Sequence, residues 1–310
     1  MATLPLTNLP MTRLLVVGGV ACFTLVSGAQ PGAWSAAGRG VTGGVRTHIV
    51  LPGETLGSIG ARLGVGVAAI LDDNQLHPGR VLVAGQTLRV DNRHVVPASV
   101  EAGVLVVNVP QRLLFHDDGI AITGLPVAVG RRTWPTPIRS FTIVAKEQNP
   151  TWDVPPSILE EARRAGRNLP ASIPAGPDNP LGRFWLGLSS GGVGIHGTNA
   201  PSSIYGAVTH GCVRLHPDDI EWLFARVAVG TVVRTVYEPV LLTAWEDDVL
   251  LEAHPDVYRR APGGLDTALA LAAAAGVTDR VDWPAAAAVI TARHGIARAV
   301  TRRQTTEVSP

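Results

Sequence analysis

Two short motifs carry the residues of this sequence that are best suited to nucleophilic chemistry. They are Ile195-His196-Gly197-Thr198 and Thr209-His210-Gly211-Cys212-Val213-Arg214-Leu215. A free cysteine has a pKa of about 8.5, so at neutral pH its thiol needs a neighbouring base or positive charge to react efficiently. His196 can supply both. Cys212 is therefore the candidate nucleophile, and His196 is its candidate base.

The neighbours of these two residues fit the same chemistry. Gly197 and Gly211 remove side chains where a substrate backbone must approach, and Gly211 permits a tight turn that aims the thiol outward. The backbone N–H groups of Gly211 and Cys212 are candidates for holding a developing oxyanion. In an extended segment Arg214 would lie on the same side as Cys212, where it can pair with a substrate carboxylate.

Each of these residues also has an interpretation without catalysis. His196 could be a core histidine bonded to a carbonyl, Cys212 a small buried hydrophobe, and Arg214 an anchor for a nearby loop. Imidazole and thiolate are also zinc ligands, so a zinc site is a further alternative. Its ligands would be His196, His210, Cys212 and His216.

The N-terminus has the layout of an export signal. Arg13 precedes an apolar run over residues 14–26, and small residues follow. A signal peptide over 1–37, cleaved near residue 29 or 37, would remove Cys22 and leave Cys212 as a lone thiol. Such a thiol in an exported protein is exposed to oxidation, which indicates that it is kept for chemistry. The run is shorter than the ~20 apolar residues of a membrane span, and an uncleaved anchor is the alternative.

The composition indicates a globular protein that does not bind nucleic acid. The chain has 26 basic and 25 acidic residues, and no cluster of lysine and arginine gives it a footprint for a polyanion. Its length of 310 residues allows two or three domains. Abundant glycine and proline with short runs of valine and leucine favour a mainly β or α+β fold before residue 240, with alanine-rich helices after it.

Residues 46–91 predict a small self-contained unit in the order strand, helix, helix, strand. The first strand is expected at 48–51 and the last at 87–90. Thr55 can cap the first helix, whose apolar residues recur at helical spacing. A second helix is expected from 67 to 71.

This unit resembles a LysM module. The opening V-x-x-G-[DE]-T-L, the central asparagine and the closing G-Q-x-L of that family are matched by Val50 through Leu56, Asn74 and Gly85 through Leu88. The resemblance implies binding of glycans that contain N-acetylglucosamine, here the glycan strands of peptidoglycan. The glycan-binding candidates are Gly53, Glu54, Thr55 and Asn74. A spacer domain without glycan affinity is the alternative.

Alternating apolar residues predict a sheet in the middle of the chain. A hairpin is expected at 104–109 and 112–115, with further strands at 125–129, 140–145, 184–188 and 192–195. The long proline-rich passage at 149–180 lies between core strands, where such a passage is more often a functional loop than a linker. We expect it to cover the active site. A packing helix is expected at 217–227.

The chain after residue 240 predicts an extension of unknown purpose. A hairpin is expected at 241–251, and alanine-rich helices are expected at 265–275 and 283–299. The extension, 240–310, follows the domain at 99–237 that carries both chemical motifs.

The combination of motifs resembles the catalytic domain of the L,D-transpeptidases of the YkuD type. That family has H-G-T, followed after about a dozen residues by [ST]-x-G-C-[IV]-R. Here the motif is met at His196, Gly197, Thr198, Thr209, Gly211, Cys212, Val213 and Arg214. The family's β-sandwich is the fold expected for residues 99–237. With an export signal and a LysM module ahead of it, the arrangement is similar to the periplasmic branch of the family.

The resemblance implies a thiol acyltransferase of peptidoglycan biosynthesis that needs no metal and no cofactor. Cys212 would attack a tetrapeptide stem, release D-alanine and form a thioester. His196 would take the thiol proton, the Gly197 carbonyl would orient its ring, and His210 would line the site in a supporting role. The amine acceptor could be a second stem, giving a 3-3 crosslink, an outer-membrane lipoprotein or a free D-amino acid.

Two functions of other kinds remain open at the level of sequence. An L,D-carboxypeptidase or stem-peptide hydrolase would use the same thiol and imidazole with water as the acceptor. A noncatalytic wall-binding protein would rely on the LysM module alone, and His196 and Cys212 would then be replaceable.

Overall fold

The computed structural model describes residues 34–35, 40–260 and 263–303 of the chain. Apart from β1 (Trp34–Ser35), the predicted signal peptide lies outside these residues. None of the helices in the described ranges has the length and apolar character needed to cross a membrane.

The N-terminal module has the predicted order of strand, helix, helix and strand. Its elements and the short strands beside it are β2 (Val41–Thr42), β3 (Val45–Ile49), α1 (Leu56–Leu63), α2 (Val67–Asp73), β4 (Thr87–Asp91) and β5 (His94–Val95). β3 pairs antiparallel with β4. The prediction of a strand at 48–51 is wrong at both ends. The strand stops at Ile49 because Leu51 begins a turn, in which its carbonyl accepts the Glu54 N–H at 3.1 Å.

Helix α1 starts where the sequence predicts, because Thr55 and Ser58 form a capping box. The Thr55 hydroxyl accepts the Ser58 N–H at 3.0 Å, and the Ser58 hydroxyl accepts the Thr55 N–H at 2.8 Å. The helix ends at Gly64, whose φ of 66° lies in the left-handed region.

The middle of the chain forms the predicted sheet. Its elements are β6 (Val104–Asn108), β7 (Leu113–Asp117), β8 (Ile122–Gly130), β9 (Ser140–Gln148), β10 (Trp152–Asp153), α3 (Pro156–Arg164), β11 (Ser172–Ile173), β12 (Phe184–Leu188), β13 (Gly194–His196), β14 (Ala207–Thr209), β15 (Val213–Leu215), α4 (Pro217–Phe224) and β16 (Val232–Val236). The hairpin of β6 and β7 is confirmed. β13 starts two residues later than predicted, because Gly191 and Gly192 both have positive φ.

The large sheet closes on itself around the main apolar core. Its strand order is β8-β15-β13-β12-β9-β16-β6-β7, and β7 pairs back to β8. β1 and β14 add to β8 outside this ring. Buried residues such as Leu105, Val127 and Ile195 fill the interior. The mainly β architecture is as predicted, and this closure gives every ring strand two neighbours.

Helix α4 packs against the same core and is shorter than predicted. Ile220 and Leu223 are fully buried. The helix ends at Phe224 rather than Val227, because the Lys146 ammonium binds the Phe224 and Val227 carbonyls at 2.7 and 2.6 Å. A cation at this position satisfies helix-end carbonyls that have no partner inside the helix.

The extension after residue 240 contains a hairpin and two helices. Its elements are β17 (Val240–Trp245), β18 (Asp248–Ala253), α5 (Leu265–Ala274), α6 (Trp283–Ala292) and β19 (Arg298–Ala299). The prediction that the second helix reaches residue 299 is wrong. Left-handed backbone at Arg293, with φ 48°, and at Gly295, with φ 72°, ends α6 and returns the chain to pair with β18.

The N-terminal module is not self-contained, in contrast to the prediction. One apolar cluster joins Ile59, Ile70 and Leu88 of the module to Phe115 of the large sheet and Ile296 of the extension. A unit of this size buries too little apolar surface on its own to be very stable. The shared core therefore makes the module a packed part of the molecule.

Candidate active site

Two neighbouring strands bring the predicted catalytic residues together. β13 and β15 are parallel, with Ile195 opposite Val213 and His196 opposite Arg214. Alternate residues of a strand face the same side, so Cys212, which immediately precedes β15, faces the side of Arg214 and His196. All three side chains line one cavity of about 550 Å³.

The turn before Cys212 is fastened by the hydroxyl of Thr209. This hydroxyl donates to the Cys212 carbonyl at 2.6 Å and accepts the Gly211 N–H at 3.3 Å. Gly211 has a φ of 107°, which few residues other than glycine adopt, so the tight turn predicted there is present. The Gly211 N–H, predicted as an oxyanion donor, is instead engaged by Thr209.

The imidazole of His196 has a fixed orientation. Its Nδ1 lies 2.6 Å from the Gly197 carbonyl oxygen, which can only accept, so Nδ1 carries the proton and Nε2 is left as the basic nitrogen. A side chain on Gly197 would meet Ile220 of α4 at 3.1 Å and the Leu181 carbonyl at 3.3 Å. Glycine at this position therefore lets β13 lie directly against α4.

Trp185 packs against the ring of His196. The two residues are paired across β12 and β13, and their ring centroids are 5.8 Å apart. A Cβ at Gly194 would lie 2.3 Å from the indole, so only glycine leaves room for this packing. Trp185 was not predicted from the sequence, because its place in the site depends on the register of β12 and β13.

The His196 imidazole and the Cys212 thiol are both uncharged at neutral pH. Burial, with the nearby charge of Arg214, lowers the pKa of His196 to about 3. Burial raises the pKa of the Cys212 thiol above its usual value, although the Gly194 N–H and the charge of Arg214 act in the opposite direction. The thiol also makes a weak contact to the Gly192 carbonyl at 3.7 Å. The resting site is thus a neutral thiol beside a neutral base.

Arg214 places a positive charge at the cavity. One of its terminal nitrogens donates to the Ser203 hydroxyl at 2.9 Å. Its Nε is buried and has no hydrogen-bond partner among the residues that the structure describes. The guanidinium therefore keeps a donor for an anionic group that enters the cavity.

The passage at 149–180 forms the wall of the cavity that faces Cys212. It contains β10, α3 and β11, and it contributes Trp152, Ile158, Glu161 and Leu169 to the lining. We call residues 149–180 the lid. Asn179 closes its base by donating to the Pro150 carbonyl at 2.9 Å and accepting the Leu181 N–H at 2.9 Å. The expectation that this passage covers the site is confirmed.

His210 connects the lid to the cysteine turn. Its Nε2 lies 2.9 Å from the Glu161 carboxylate of α3, which also accepts from Arg131 at 2.5 Å. Trp134 packs edge-on against the imidazole with centroids 5.2 Å apart. Glu161, Arg131 and Trp134 were not predicted from the sequence, since they come from two segments, α3 and the turn after β8, that share no motif with the cysteine turn.

No metal site is formed by the residues predicted as zinc ligands. His216 lies at the start of α4, where its Nδ1 accepts the Asp218 N–H at 3.4 Å. Within the described ranges, the histidine, cysteine and acidic side chains nowhere form a group of three suited to a metal ion.

The predicted glycan-binding side chains are bonded inside the module. Glu54 accepts the Leu51 N–H at 2.8 Å and contacts the His48 imidazole at 2.7 Å. Asn74 pairs with the backbone of Arg89 through two bonds of 2.8 Å. Thr55 caps α1, and Gly53 has a φ of 83° in the preceding turn. Their structural roles explain the motif, and glycan binding by these residues stays a prediction.

Comparison with known proteins places this fold and site in one family. Residues 102–236 match the L,D-transpeptidase catalytic domain called YkuD, and residues 48–91 match the LysM domain. The chain belongs to the YkuD family of L,D-transpeptidases and carries an N-terminal LysM domain. L,D-transpeptidases are acyl-transferring enzymes. The catalytic domain and the LysM domain both indicate peptidoglycan as the ligand.

Three curated relatives illustrate the similarity. The probable L,D-transpeptidase ErfK/SrfK of Escherichia coli is 34% identical over 226 residues, which cover 72% of this chain and 71% of the relative. The probable L,D-transpeptidase YbiS of Escherichia coli is 39% identical over 165 residues, or 53% of this chain and 54% of that protein. The putative L,D-transpeptidase YkuD of Bacillus subtilis is 31% identical over 193 residues, which cover 60% of this chain and 95% of that protein.

Proposed function

We propose that Cys212 is the nucleophile of this L,D-transpeptidase and that His196 is its general base. The observation that carries the proposal is the pairing of His196 with Arg214 across two parallel strands, which puts both side chains and the Cys212 thiol at one cavity. The fixed Nδ1–H of His196 leaves Nε2 free to accept a proton.

The first half-reaction acylates the thiol. His196 Nε2 takes the proton of Cys212, and the sulfur attacks the carbonyl that precedes the terminal D-alanine of a tetrapeptide stem. The tetrahedral intermediate collapses, the C–N bond breaks, and His196 returns the proton to the departing amine. D-alanine leaves, and the stem remains bound to Cys212 as a thioester. The Cys212 N–H is the proposed donor to the oxyanion.

The second half-reaction transfers the acyl group to an amine. His196 takes a proton from the acceptor amine, the amine nitrogen attacks the thioester, and the C–S bond breaks. His196 then gives its proton to the departing sulfur, which restores the Cys212 thiol. A second stem as acceptor gives a 3-3 crosslink, and an outer-membrane lipoprotein as acceptor becomes anchored to the wall. Arg214 holds a carboxylate of the donor stem, because it brings a positive charge and a buried donor to the cavity.

The predicted export signal and the location of peptidoglycan both bear on where this reaction takes place. Residues 1–37 have the pattern of an export signal, and peptidoglycan lies outside the cytoplasmic membrane. We therefore place the mature protein in the periplasm, where its LysM domain binds glycan strands.

The proposal is tested by intact mass spectrometry of the mature protein. Wild type and Cys212→Ala are incubated with disaccharide-tetrapeptide and, separately, with a carbapenem. We expect a covalent adduct on the wild type alone, release of D-alanine and formation of crosslinked dimers. Release without dimers would indicate a carboxypeptidase. An unmodified wild type with intact substrate would refute the cysteine mechanism and favour a noncatalytic wall-binding protein.

A further inference from the structure

A buried ion pair joins the LysM domain to the helix behind the catalytic histidine. Arg62, in the last turn of α1, donates from one terminal nitrogen to both carboxylate oxygens of Asp219, at 3.0 and 3.1 Å. The Asp219 side chain is fully buried, and that of Arg62 is 28% exposed. A buried carboxylate needs such a partner, because the cost of removing a charge from water is otherwise uncompensated.

Asp219 lies in the first turn of α4, one residue before the contact that supports the active site. The next residue, Ile220, is buried against Gly197, and the Gly197 carbonyl fixes the Nδ1–H of His196. A displacement of the first turn of α4 would therefore move the carbonyl that selects the orientation and tautomer of His196.

A second contact from the same helix reaches the other side of the site. Ala61, beside Arg62 in α1, packs with Ile204 and Ala128 in a small buried cluster. Ile204 follows Ser203, whose hydroxyl accepts from Arg214 at 2.9 Å. Helix α1 thus contacts segments that position both His196 and Arg214.

We propose that the LysM domain is a structural part of the active site and that Arg62 is a positioning residue for His196, acting through Asp219 and α4. The inference rests on the proposed role of His196 as the general base. It assigns the LysM domain a role that is independent of glycan binding. The acylation rate would then depend on Arg62 even for a substrate without sugars.

The charges around Asp219 explain why Arg62 matters. Burial raises the pKa of Asp219, and Arg62 is the strongest opposing influence. His216 and Asp218 are the other charged or titratable groups that act on this carboxylate. Without Arg62, Asp219 must take up a proton or draw in water, and either change alters the packing of the first turn of α4.

The test measures acylation of Cys212 by a free tetrapeptide stem that lacks sugars, so that glycan binding does not contribute. We expect Arg62→Ala to lower kcat about two- to thirty-fold, the range typical of coupling through packed elements, with little change in KM. Arg62→Lys keeps a cation beside Asp219 and should recover part of the rate. Arg80→Ala is the matched control, because this substitution removes the same charge from an exposed position of the same domain.

A double variant, Arg62→Gln with Asp219→Asn, separates positioning from folding. It removes both charges and leaves two amides that can bond to each other, so it should fold and acylate faster than Arg62→Ala. An unchanged kcat in Arg62→Ala, an equal loss in Arg80→Ala, or a folded double variant no faster than Arg62→Ala would each overturn the proposal. If the wild type itself is not acylated, the proposed function fails rather than the role of Arg62.

Discussion

Burial holds the proposed catalytic pair, His196 and Cys212, in its uncharged form. The pKa of His196 is about 3 and that of the Cys212 thiol is raised, so an imidazolium–thiolate pair is disfavoured before substrate binds. The proton moves only when the thiol attacks, and the base must already point its Nε2 toward the cavity. This requirement explains why backbone groups fix both residues, Gly197 for the imidazole and Thr209 for the cysteine turn.

The pH profile of acylation tests the state of His196. A base whose pKa is lowered is protonated only as the pH approaches that lower pKa, so His196 stays active well below its ordinary value of 6.5. We expect the rate of acylation by a carbapenem to be level between about pH 5 and pH 7. Intact mass spectrometry of samples quenched at successive times measures the acylation rate at each pH. A rate that halves near pH 6.5 would show that His196 titrates like an exposed histidine.

The hydroxyl of Thr209 is expected to be essential to the cysteine turn. Thr209→Val keeps the shape but removes both bonds, and a buried group left unsatisfied costs about 1–3 kcal/mol. We expect the acylation rate to fall about ten-fold or more, whereas Thr209→Ser should retain most of it. Stopped-flow fluorescence of carbapenem binding measures both. Equal rates for the valine and serine variants would contradict this role.

At the scale of elements, the lid is fastened to the catalytic strands by a few polar contacts. Its helix α3 contacts the cysteine turn through Glu161, which bonds Arg131 and His210. These side chains are each about one-third exposed, so their net contribution is modest. These contacts therefore dock α3 on the cysteine turn with only a modest contribution to stability.

Removing the Glu161 charge should loosen the lid. Water screens a partly exposed ion pair, so Glu161→Gln should speed hydrogen exchange in α3 by no more than about five-fold. Glu160→Gln is the matched control, because Glu160 bonds only Arg163 and Arg164 among the contacts described for it, within its own segment. Mass spectrometry of exchanged peptides covering 156–164 measures both. Faster exchange in the control alone would refute the assignment.

At the scale of the whole molecule, one buried polar cluster joins three segments of the chain. Glu252 of β18 contacts His94 of β5 at 2.9 Å and His254 at 2.7 Å, and it accepts from Gln111 at 3.1 Å. His94 also reaches the Gly64 carbonyl at the end of α1 at 2.9 Å. The extension, whose purpose the sequence did not reveal, thus braces the LysM domain against the catalytic domain.

This cluster predicts how stability depends on acid. Burial alone would raise the pKa of Glu252, but His94 and His254 bring it to about 2, below its ordinary 4.5. Its contribution, of order 3 kcal/mol, is therefore present above about pH 4.5 and lost as the pH falls toward 2. Glu252→Gln should unfold at lower urea concentration at pH 6 and show a shallower loss of stability below pH 4.5.

An exposed carboxylate provides the comparison for Glu252. Glu101→Gln removes a surface ion pair with Arg234 and should unfold like the wild type at both pH values. Urea titrations followed by tryptophan fluorescence give the free energies of unfolding. A Glu252→Gln protein as stable as the wild type at pH 6 would refute the bracing role.

Features that depend on local spacing could be predicted from the amino-acid sequence. The caps of α1, the turn at Gly211, the hairpin at 104–115 and the catalytic motif could all be predicted, because each depends on residues a few positions apart. The lid was predicted from its length between core strands. The family could likewise be predicted locally, since a histidine motif and a cysteine motif lie within one short stretch, and these motifs also carry the proposed nucleophile and base.

The distant residues around the site come together only in the folded chain. Strand register brings Trp185 to the cavity, and docking of the lid brings Glu161 to Arg131 and His210. The Arg62–Asp219 ion pair links α1 to α4. None of these residues has a spacing relation to Cys212. The shared core and the closed sheet were equally beyond local patterns. Burial and contact between remote segments arise only when the chain is compact, and these contacts set the pKa values and the orientation of the catalytic groups.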